Sequence, residues 1–239
     1  MKAIILNSGI GKRMRPFTNK NPKCLVKLNG KTILEHEIDN LLHYGIKNMI
    51  ITVGPFEEKI KKFMIRKFPR LNVVYIKNEL YNSTNYIYSM WLARHLIDDD
   101  IILLHGDMVF DKKLLGKLLA AKSPNCALVN NNIKPPEKDF KGEIINNRIK
   151  KIGVDLSGKN AFFLAPVYKF SRPDFKLWLN KIGIFVKKGN VNVYAEEAFN
   201  NLSNKIKLSP VYFERELCME IDNFGDLETA RNFFKTNKI

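Results

Sequence analysis

Short apolar runs rich in isoleucine and valine recur through the first 130 residues of the chain. Segments whose apolar residues follow a helical period separate these runs. Near-continuous apolar strands separated by amphipathic helices are typical of a parallel sheet whose two faces are covered by helices. The sequence therefore predicts an α/β fold with a doubly wound, mostly parallel central sheet. The predicted strands of this sheet are residues 3–6, 49–53, 72–76, 100–105 and 126–130.

The helices between these strands are placed by the signals at their ends. Thr32 is a predicted N-cap with Glu35 as its capping-box partner, and Gly45 marks the end of that helix. Thr84 gives a similar N-cap signal before a later helix. The predicted helices are residues 33–45, 56–68, 85–97, 111–121, 173–182, 194–203 and 224–235.

The second half of the chain has a different pattern. Residues 130–147 form a polar stretch rich in turn residues, and further strands are predicted only after it. No linker or shift in composition divides the two halves, so we expect a single domain over residues 1–239 with a small β/α embellishment. The predicted strands of this half are residues 148–156, 160–170, 207–213 and 218–223.

The chain is strongly basic, with a formal net charge of +16. Such a surface attracts anionic partners, among them nucleic acid, acidic lipid and polyphosphate substrates. The lysines are scattered rather than clustered, however, and a solvated surface has the same pattern. Since the chain carries no recognised nucleic-acid motif, we expect no nucleic-acid partner.

Cysteine and histidine usage argues against a disulfide framework or a zinc site. The three cysteines have no metal-ligand spacing, and the four histidines form no ligand pattern.

No apolar run approaches the length of a membrane span, and the first run is shorter than the apolar part of a secretory signal. These features predict a cytoplasmic protein without a membrane span, and they leave a homodimer open.

The loop after the first predicted strand, residues 6–25, combines two glycines with five lysines and arginines. Glycine after a strand favours phosphate binding, because backbone N–H groups can approach an anion where no Cβ intervenes. A dinucleotide-binding fingerprint needs a third glycine where this chain has Met14. A Walker loop needs four residues between its two glycines, whereas a single residue separates Gly9 from Gly11. Neither pattern fits.

A longer pattern does fit, and it has eight defined positions in the order G-x-G-x-R-x-x-P-x-T-x-x-x-P-K-x-L. Through it the chain resembles the nucleotidyltransferases that activate sugar phosphates and small alcohol phosphates with a nucleoside triphosphate. Many of those proteins have two alanines before the first glycine, whereas this chain has Asn7 and Ser8. The matching residues are Gly9, Gly11, Arg13, Pro16, Thr18, Pro22, Lys23 and Leu25.

The resemblance implies a Rossmann-like nucleotidyltransferase fold and a Mg²⁺ cofactor held by two aspartates. Asp107 follows a predicted buried strand, where ligands bind in open α/β sheets, and Asp222 ends a later strand. Without that role, Asp107 is an ordinary turn residue and Asp222 an N-cap, and Glu220 is a weaker candidate ligand. The resemblance further places Lys23 near the α-phosphate and Arg13 near the β- and γ-phosphates.

The segment after residue 77 resembles the branch that contains phosphocholine and 2-aminoethylphosphonate cytidylyltransferases, through Asn78, Thr84, Asn85, Tyr88 and Ser89. This resemblance implies CTP as the nucleotide and a small phosphorylated acceptor. Residues 1–130 would then be the nucleotide-binding half, 131–222 the acceptor-side half and 223–239 a closing helix. The expected nucleotide-binding residues are Leu6, Asn7, Ser8, Gly9, Gly11, Lys12, Asn78, Thr84, Asn85, Ser89 and Gly106.

Two sets of residues are candidates for the acceptor. Aromatic and acidic residues suit a cationic amine, and lysines suit a carboxylate or second anionic group, so an amino-acid-like phosphate would satisfy both. The acidic pair also fits the first turn of a helix without any ligand, and the lysines also fit a solvated loop. A sugar-1-phosphate nucleotidyltransferase using UTP or dTTP is the alternative function. The candidates are Tyr168, Tyr194, Glu196, Glu197, Lys138 and Lys141.

Overall fold

The structure is a computed structural model that describes residues 1–237. Seven α-helices and thirteen strands are found in these residues, with short 3-10 turns in the loop after the first strand. The strands are β1 (Lys2–Asn7), β2 (Lys27–Leu28), β3 (Lys31–Thr32), β4 (Asn48–Val53), β5 (Asn72–Lys77), β6 (Ile101–His105), β7 (Met108–Phe110), β8 (Cys126–Asn130), β9 (Lys141–Ile145), β10 (Arg148–Gly153), β11 (Ala161–Phe170), β12 (Ser209–Tyr212) and β13 (Cys218–Glu220). The helices are α1 (Ile33–His43), α2 (Glu57–Lys67), α3 (Tyr86–Leu92), α4 (Lys112–Ala120), α5 (Arg172–Lys187), α6 (Ala195–Asn200) and α7 (Phe224–Asn237).

The predicted mostly parallel sheet is confirmed. Its first half is the parallel set β5-β4-β1-β6, and β11 continues it antiparallel to β6. Within the described residues, only β10 and β11 run against the other strands of this sheet. The chain leaves β1 toward β4 and later returns to the opposite side of β1 as β6. That reversal of strand order is where open α/β sheets bind ligands, at the carboxyl ends of the strands.

Successive residues of β1 face opposite sides of the sheet, and each side is covered. Ala3 and Ile5 pack into one hydrophobic cluster with residues of α1, α2 and α4. Ile4 packs into a second cluster with residues of α3, α5 and α6, including the fully buried Trp178. The apolar character of both sides of β1 therefore follows from the doubly wound arrangement.

The capping box predicted for α1 is confirmed. The Thr32 hydroxyl accepts a hydrogen bond from the backbone N–H of Glu35 at 3.1 Å, and the Glu35 carboxylate accepts one from the N–H of Thr32 at 2.7 Å. The N-cap of α3 is Asn85 rather than Thr84, because the Asn85 side chain accepts from the N–H of Tyr86 at 2.7 Å. The Thr84 hydroxyl donates instead to the carbonyl of Leu80 at 2.8 Å.

The polar stretch 130–147 contains a strand that the sequence did not reveal, since β9 occupies its second half. Its start is polar, and Gly142 weakens the pattern further. The turn that follows is formed by Asn146 and Asn147, both in the left-handed region at φ 50° and 54°. Two consecutive residues with positive φ are typical of a tight hairpin turn. The asparagine pair was therefore the sequence feature that could have predicted a hairpin of β9 and β10.

Two short strands bring distant parts of the chain together at the end of the main sheet. Met108 in β7 pairs with Glu220 in β13, and the backbone N–H of Ile221 donates to the carbonyl of Asp107 at 2.9 Å. This pairing places the residues after β6 beside those before α7.

The predicted closing helix corresponds to α7, and residues 238 and 239 lie outside the described part of the chain. None of the helices in residues 1–237 has the length and hydropathy needed to cross a bilayer.

Candidate active site

A cleft of about 690 Å³ opens at the carboxyl ends of the parallel strands. It is lined by residues from the loop after β1, from the segments after β5 and β6, and from the second half of the chain. Most residues predicted for the site line this cleft. They are Leu6, Asn7, Ser8, Gly9, Gly11, Lys12, Arg13, Lys23, Asn78, Thr84, Asn85, Gly106, Asp107, Lys138, Tyr194 and Asp222.

The centre of the cleft is a cluster of two carboxylates and two cations. The ammonium of Lys23 lies between the carboxylates of Asp107 and Asp222, with an Nζ to Oδ1 distance of 3.0 Å to Asp222. Arg13 Nη2 lies 2.9 Å from the same Asp222 oxygen. Residues that are far apart in sequence and predicted for one site are therefore in direct contact.

Charge pairing controls the protonation of this cluster. Burial alone would raise the pKa of Asp107, but the charges of Lys23 and His105 outweigh it and hold that pKa below its usual value. Burial alone would lower the pKa of Lys23, and the two aspartates outweigh it in turn and raise that pKa. Lys23 is therefore a cation and Asp107 an anion at neutral pH.

The cluster also has unsatisfied capacity for a cation. Asp107 Oδ1 is buried and has no hydrogen-bond partner within residues 1–237. Buried carboxylate oxygens are normally paired, so this orphaned oxygen is a position that a metal ion would satisfy. Donor atoms of His105, Asp107 and Glu220 lie within 4.8 Å of one another, and so do those of Asp139, Glu220 and Asp222.

His105 is the clearest site residue that the sequence did not indicate. Its Nδ1 lies 3.3 Å from Glu220 Oε1, and hydrogen bonding to Glu220 and the charge of Glu196 raise its pKa although burial lowers it. Burial and the nearby Asp107 raise the pKa of Glu220. The four histidines form no ligand pattern in sequence, because the acidic partners of His105 come from other parts of the fold. The sequence feature that could have suggested a role for His105 in the site is its position two residues before Asp107.

The loop after β1 owes its shape to Gly11, which has a φ of 68°. A Cβ at this position would lie 3.0 Å from the Cβ of Lys23, so a side chain would strain both the backbone and its neighbour. The Thr18 hydroxyl donates to the carbonyl of Gly11 at 2.8 Å and closes the loop. The glycine, threonine and lysine of the signature therefore support one another, and Lys23 is held pointing into the cleft.

The end of the cleft near β5 is polar and uncharged. Asn78 Nδ2 donates to the hydroxyls of Thr84 and Ser89, each at 3.0 Å, and the hydroxyls of Ser8 and Ser89 are 2.7 Å apart. Ser89 is fully buried and does not line the cleft. Its place is under the cleft, where it orients Asn78 and Ser8.

Another part of the cleft is an aromatic chamber, which we define as Tyr86, His105, Phe140 and Tyr194. The ring centroids of Tyr86 and His105 lie 4.6 Å apart, and those of Phe140 and Tyr194 lie 5.0 Å apart. Glu220 borders the chamber. Of these residues only Tyr194 was predicted for the acceptor, because the aromatic residues resemble ordinary core residues in the sequence.

The remaining acceptor candidates lie outside the cleft lining. Tyr168 and Glu196 are buried behind the chamber, and the Tyr168 hydroxyl donates to Glu196 Oε1 at 3.0 Å. Glu197 is exposed on α6 and points away from this network. Lys141 is buried, and its ammonium donates to the carbonyls of Glu137 and Val154, each at 2.6 Å. The structure therefore does not bring Lys141 or Glu197 to an acceptor.

Glu196→Gln is expected to lower the free energy of unfolding by about 1–3 kcal/mol, because a carboxylate that accepts from both Tyr86 and Tyr168 becomes an amide with an unpaired N–H group. Urea unfolding at neutral pH measures the change. Glu197→Gln is the matched control in the same helical turn, and its effect should stay within about 0.5 kcal/mol. Equal stabilities for the two variants would contradict the buried network.

A doubly wound sheet with a basic, glycine-bearing loop after its first strand, and with two aspartates paired to the lysine of that loop, is the arrangement expected of a nucleotidyltransferase. The family model described as the MobA-like NTP transferase domain matches residues 3–238. The chain belongs to this family of nucleotidyltransferases.

Relatives with described activities include cytidylyltransferases. The chain is 28% identical over 135 residues to CMP-5′-(3-aminopropyl)phosphonate synthase of Streptomyces rubellomurinus, covering 56% of this chain and 22% of that protein. It is 30% identical over 136 residues to CTP:phosphoglutamine cytidylyltransferase of Campylobacter jejuni, covering 54% and 53%. The match thus covers about half of the length of the Campylobacter jejuni protein and about a fifth of the length of the Streptomyces rubellomurinus protein.

The fold is shared with a solved structure. The CTP:phosphocholine cytidylyltransferase of Streptococcus pneumoniae superposes with a TM-score of 0.78 at 22% identity, and 98% of each chain is covered. This likeness shows a common fold over the whole chain.

Proposed function

We propose that the protein is a Mg²⁺-dependent cytidylyltransferase that transfers CMP from CTP to a small phosphate or phosphonate and releases pyrophosphate. The observation that carries the proposal is the convergence of Asp107, Asp222 and Lys23 in one cleft beside the glycine-bearing loop. A nucleoside triphosphate brings several negative charges, which Lys23 and Arg13 of this cleft would neutralise. The relatives named as a CTP-dependent cytidylyltransferase and as a synthase of a CMP-linked phosphonate support the choice of nucleotide.

Asp107 and Asp222 would hold the magnesium ion, with Glu220 and His105 close enough to complete or orient the site. Two carboxylates together with phosphate oxygens and water are what Mg²⁺ prefers. The orphaned Asp107 Oδ1 fits this role. When bound, the ion would neutralise phosphate charge and help to align the reacting groups.

The protein's own groups position the reactants rather than exchange protons with them. An oxygen of the acceptor phosphate attacks the α-phosphorus of CTP, and the bond from that phosphorus to the bridging oxygen of pyrophosphate breaks. A phosphate monoester has a second pKa of about 6, so the attacking oxygen is already ionised at neutral pH. Lys23 would stabilise charge at the α-phosphate and Arg13 at the departing phosphates.

The chamber of Tyr86, His105, Phe140 and Tyr194 favours an acceptor that carries an amine. Aromatic faces and a carboxylate attract a cation, and Glu220 provides the carboxylate beside the rings. The lysines do not supply a matching site for a carboxylate. Lys141 donates to two backbone carbonyls, and Lys138 is paired with Asp226 and lies 3.8 Å from Asp222. Phosphocholine and 2-aminoethylphosphonate therefore fit better than an amino-acid-like phosphate.

Pyrophosphate release from each of the four ribonucleoside triphosphates and from dTTP, measured with a panel of acceptors, tests the proposal. The panel contains phosphocholine, 2-aminoethylphosphonate, an amino-acid phosphate and hexose 1-phosphates. We expect turnover with CTP and an amine-bearing acceptor, and at least about tenfold less with the amino-acid phosphate, because a buried carboxylate would lack a partner. Turnover of a hexose 1-phosphate with UTP or dTTP, and none with CTP, would establish the alternative function instead.

A further inference from the structure

Asn7 ends β1 and lines the cleft. Its carboxamide lies against Gly106, and a Cβ at residue 106 would be 2.1 Å from Asn7 Oδ1. A larger residue at position 106 would clash with the Asn7 carboxamide in this conformation. The backbone N–H of Asn7 donates to the Thr52 hydroxyl at 3.1 Å, which fixes the residue from which the carboxamide extends.

The carboxamide has unused hydrogen-bonding capacity. Asn7 Nδ2 is buried and has no acceptor in the described part of the chain, although the residue lines the cleft. A buried donor without an acceptor is unfavourable, so its retention in a substrate cleft points to a partner that arrives with the substrate. Its neighbour Ser8 differs, because the Ser8 hydroxyl is already bonded to Ser89.

The order of strands places Asn7 between the two ends of the nucleotide site. Along the carboxyl edge of the sheet, Asp107 follows β6, Asn7 ends β1, Gly54 follows β4 and Asn78 follows β5. Neighbouring strands are separated by about 4.8 Å, so the distance from the β6 end to the β5 end is about 14 Å. Charged groups surround the first end and uncharged hydrogen-bonding groups the last, which suits phosphates and a base respectively.

We propose that the Asn7 carboxamide binds the ribose hydroxyls of the nucleotide and selects a ribonucleotide over a deoxyribonucleotide. The ribose is the part that joins base to phosphate, and Asn7 lies where that part must lie. A hydroxyl both donates and accepts, so Nδ2 can donate to a ribose oxygen while Oδ1 accepts from a hydroxyl of the same diol. This inference rests on the proposed nucleotidyltransferase function and assigns a specificity-determining residue within that site.

The test compares wild type and Asn7→Ala with CTP, UTP, 2′-deoxy-CTP and 3′-deoxy-CTP at a saturating acceptor concentration. We expect wild type to favour CTP by about 10- to 100-fold in kcat/KM over at least one deoxy analogue. Asn7→Ala should lose about tenfold with CTP and less than about threefold with that analogue, so the preference collapses. Calorimetric titration of the nucleotides without acceptor should show the same change in Kd.

Asn72→Ala is the matched control, since Asn72 lies at the opposite, amino end of β5, where its Nδ2 donates to Oδ1 of the exposed Asn48 at 3.2 Å. The control should keep the wild-type preference. An equal loss of CTP and both analogues in Asn7→Ala would overturn the proposal, and so would a changed preference between CTP and UTP with unchanged ribose selectivity. If Asn7→Ala does not fold by circular dichroism, Asn7→Ser is measured in its place.

Failure of the proposed function gives a different result from failure of this inference. If wild type uses UTP instead of CTP, the cytidylyltransferase proposal is wrong, and the same comparison is made with UTP and its deoxy analogues. If wild type uses CTP and its deoxy analogues equally well, the nucleotide assignment stands and the role of Asn7 in ribose selection is wrong.

Discussion

Replacing Asp107 with asparagine is expected to lower the rate of nucleotidyl transfer by at least about a thousandfold, which corresponds to about 4 kcal/mol of lost transition-state stabilisation. The two side chains have almost the same shape, so the change removes charge and leaves packing intact. In the present arrangement Asp107 Oδ2 pairs with Lys23, and the buried Oδ1 is free for a cation. An amide is a much poorer ligand for Mg²⁺ than a carboxylate in such a site.

The comparison that isolates this effect is Asp111→Asn. Asp111 follows Asp107 closely in sequence but caps α4, where its side chain accepts from the backbone N–H of Lys113 at 2.8 Å. Asparagine caps helices about as well as aspartate, so this control should keep wild-type activity and stability. Both variants are assayed for pyrophosphate release over a range of Mg²⁺ concentrations. Activity of Asp107→Asn within tenfold of wild type would show that Asp107 does not hold the metal.

Local features of the sequence predicted the parallel half of the sheet and the loop after β1. The strands were apolar on both faces because both faces are covered, and this signal does not depend on distant residues. The positions of Asp107 and Lys23 could likewise be predicted, since each lies in a short motif attached to the end of a strand. The contact between them could be expected only through the family resemblance, and the structure supplies its geometry.

The acceptor side was harder to predict because tertiary contacts decide the role of each residue there. In the sequence, Lys141 fits either a solvated lysine or a ligand-binding one. In the structure it is buried in β9, and its ammonium donates to two backbone carbonyls. Glu196 and Glu197 are adjacent and alike in sequence, yet helix geometry buries one against tyrosines and exposes the other. Phe140 and Tyr86 belong to one chamber only because the fold brings each of them against His105 and Tyr194.

Lys23→Met is expected to reduce activity by about a hundredfold or more and also to destabilise the fold by about 3 kcal/mol. Methionine fills a similar volume without charge. Asp107 would then lose its ion pair with Lys23, whereas Asp222 would still pair with Arg13 at 2.9 Å, so the uncompensated charge would lie on the mostly buried Asp107. Breaking a buried ion pair by removing one partner costs more than the pair contributes, because it leaves uncompensated charge.

Magnesium distinguishes this electrostatic explanation from a simple packing defect. In the wild-type protein the Lys23 ammonium already neutralises part of the charge on Asp107 and Asp222, whereas in Lys23→Met a divalent cation would meet both carboxylates without that competing charge. Millimolar Mg²⁺ should therefore raise the midpoint of thermal unfolding by several degrees more in the variant than in wild type, since a ligand of the folded state stabilises it by mass action. Lys27→Met, at an exposed position in β2, is the control and should resemble wild type with and without the ion. If Mg²⁺ shifts all three proteins equally, Lys23 does not neutralise the metal-binding carboxylates, and its stabilising role must come from packing of its aliphatic stem.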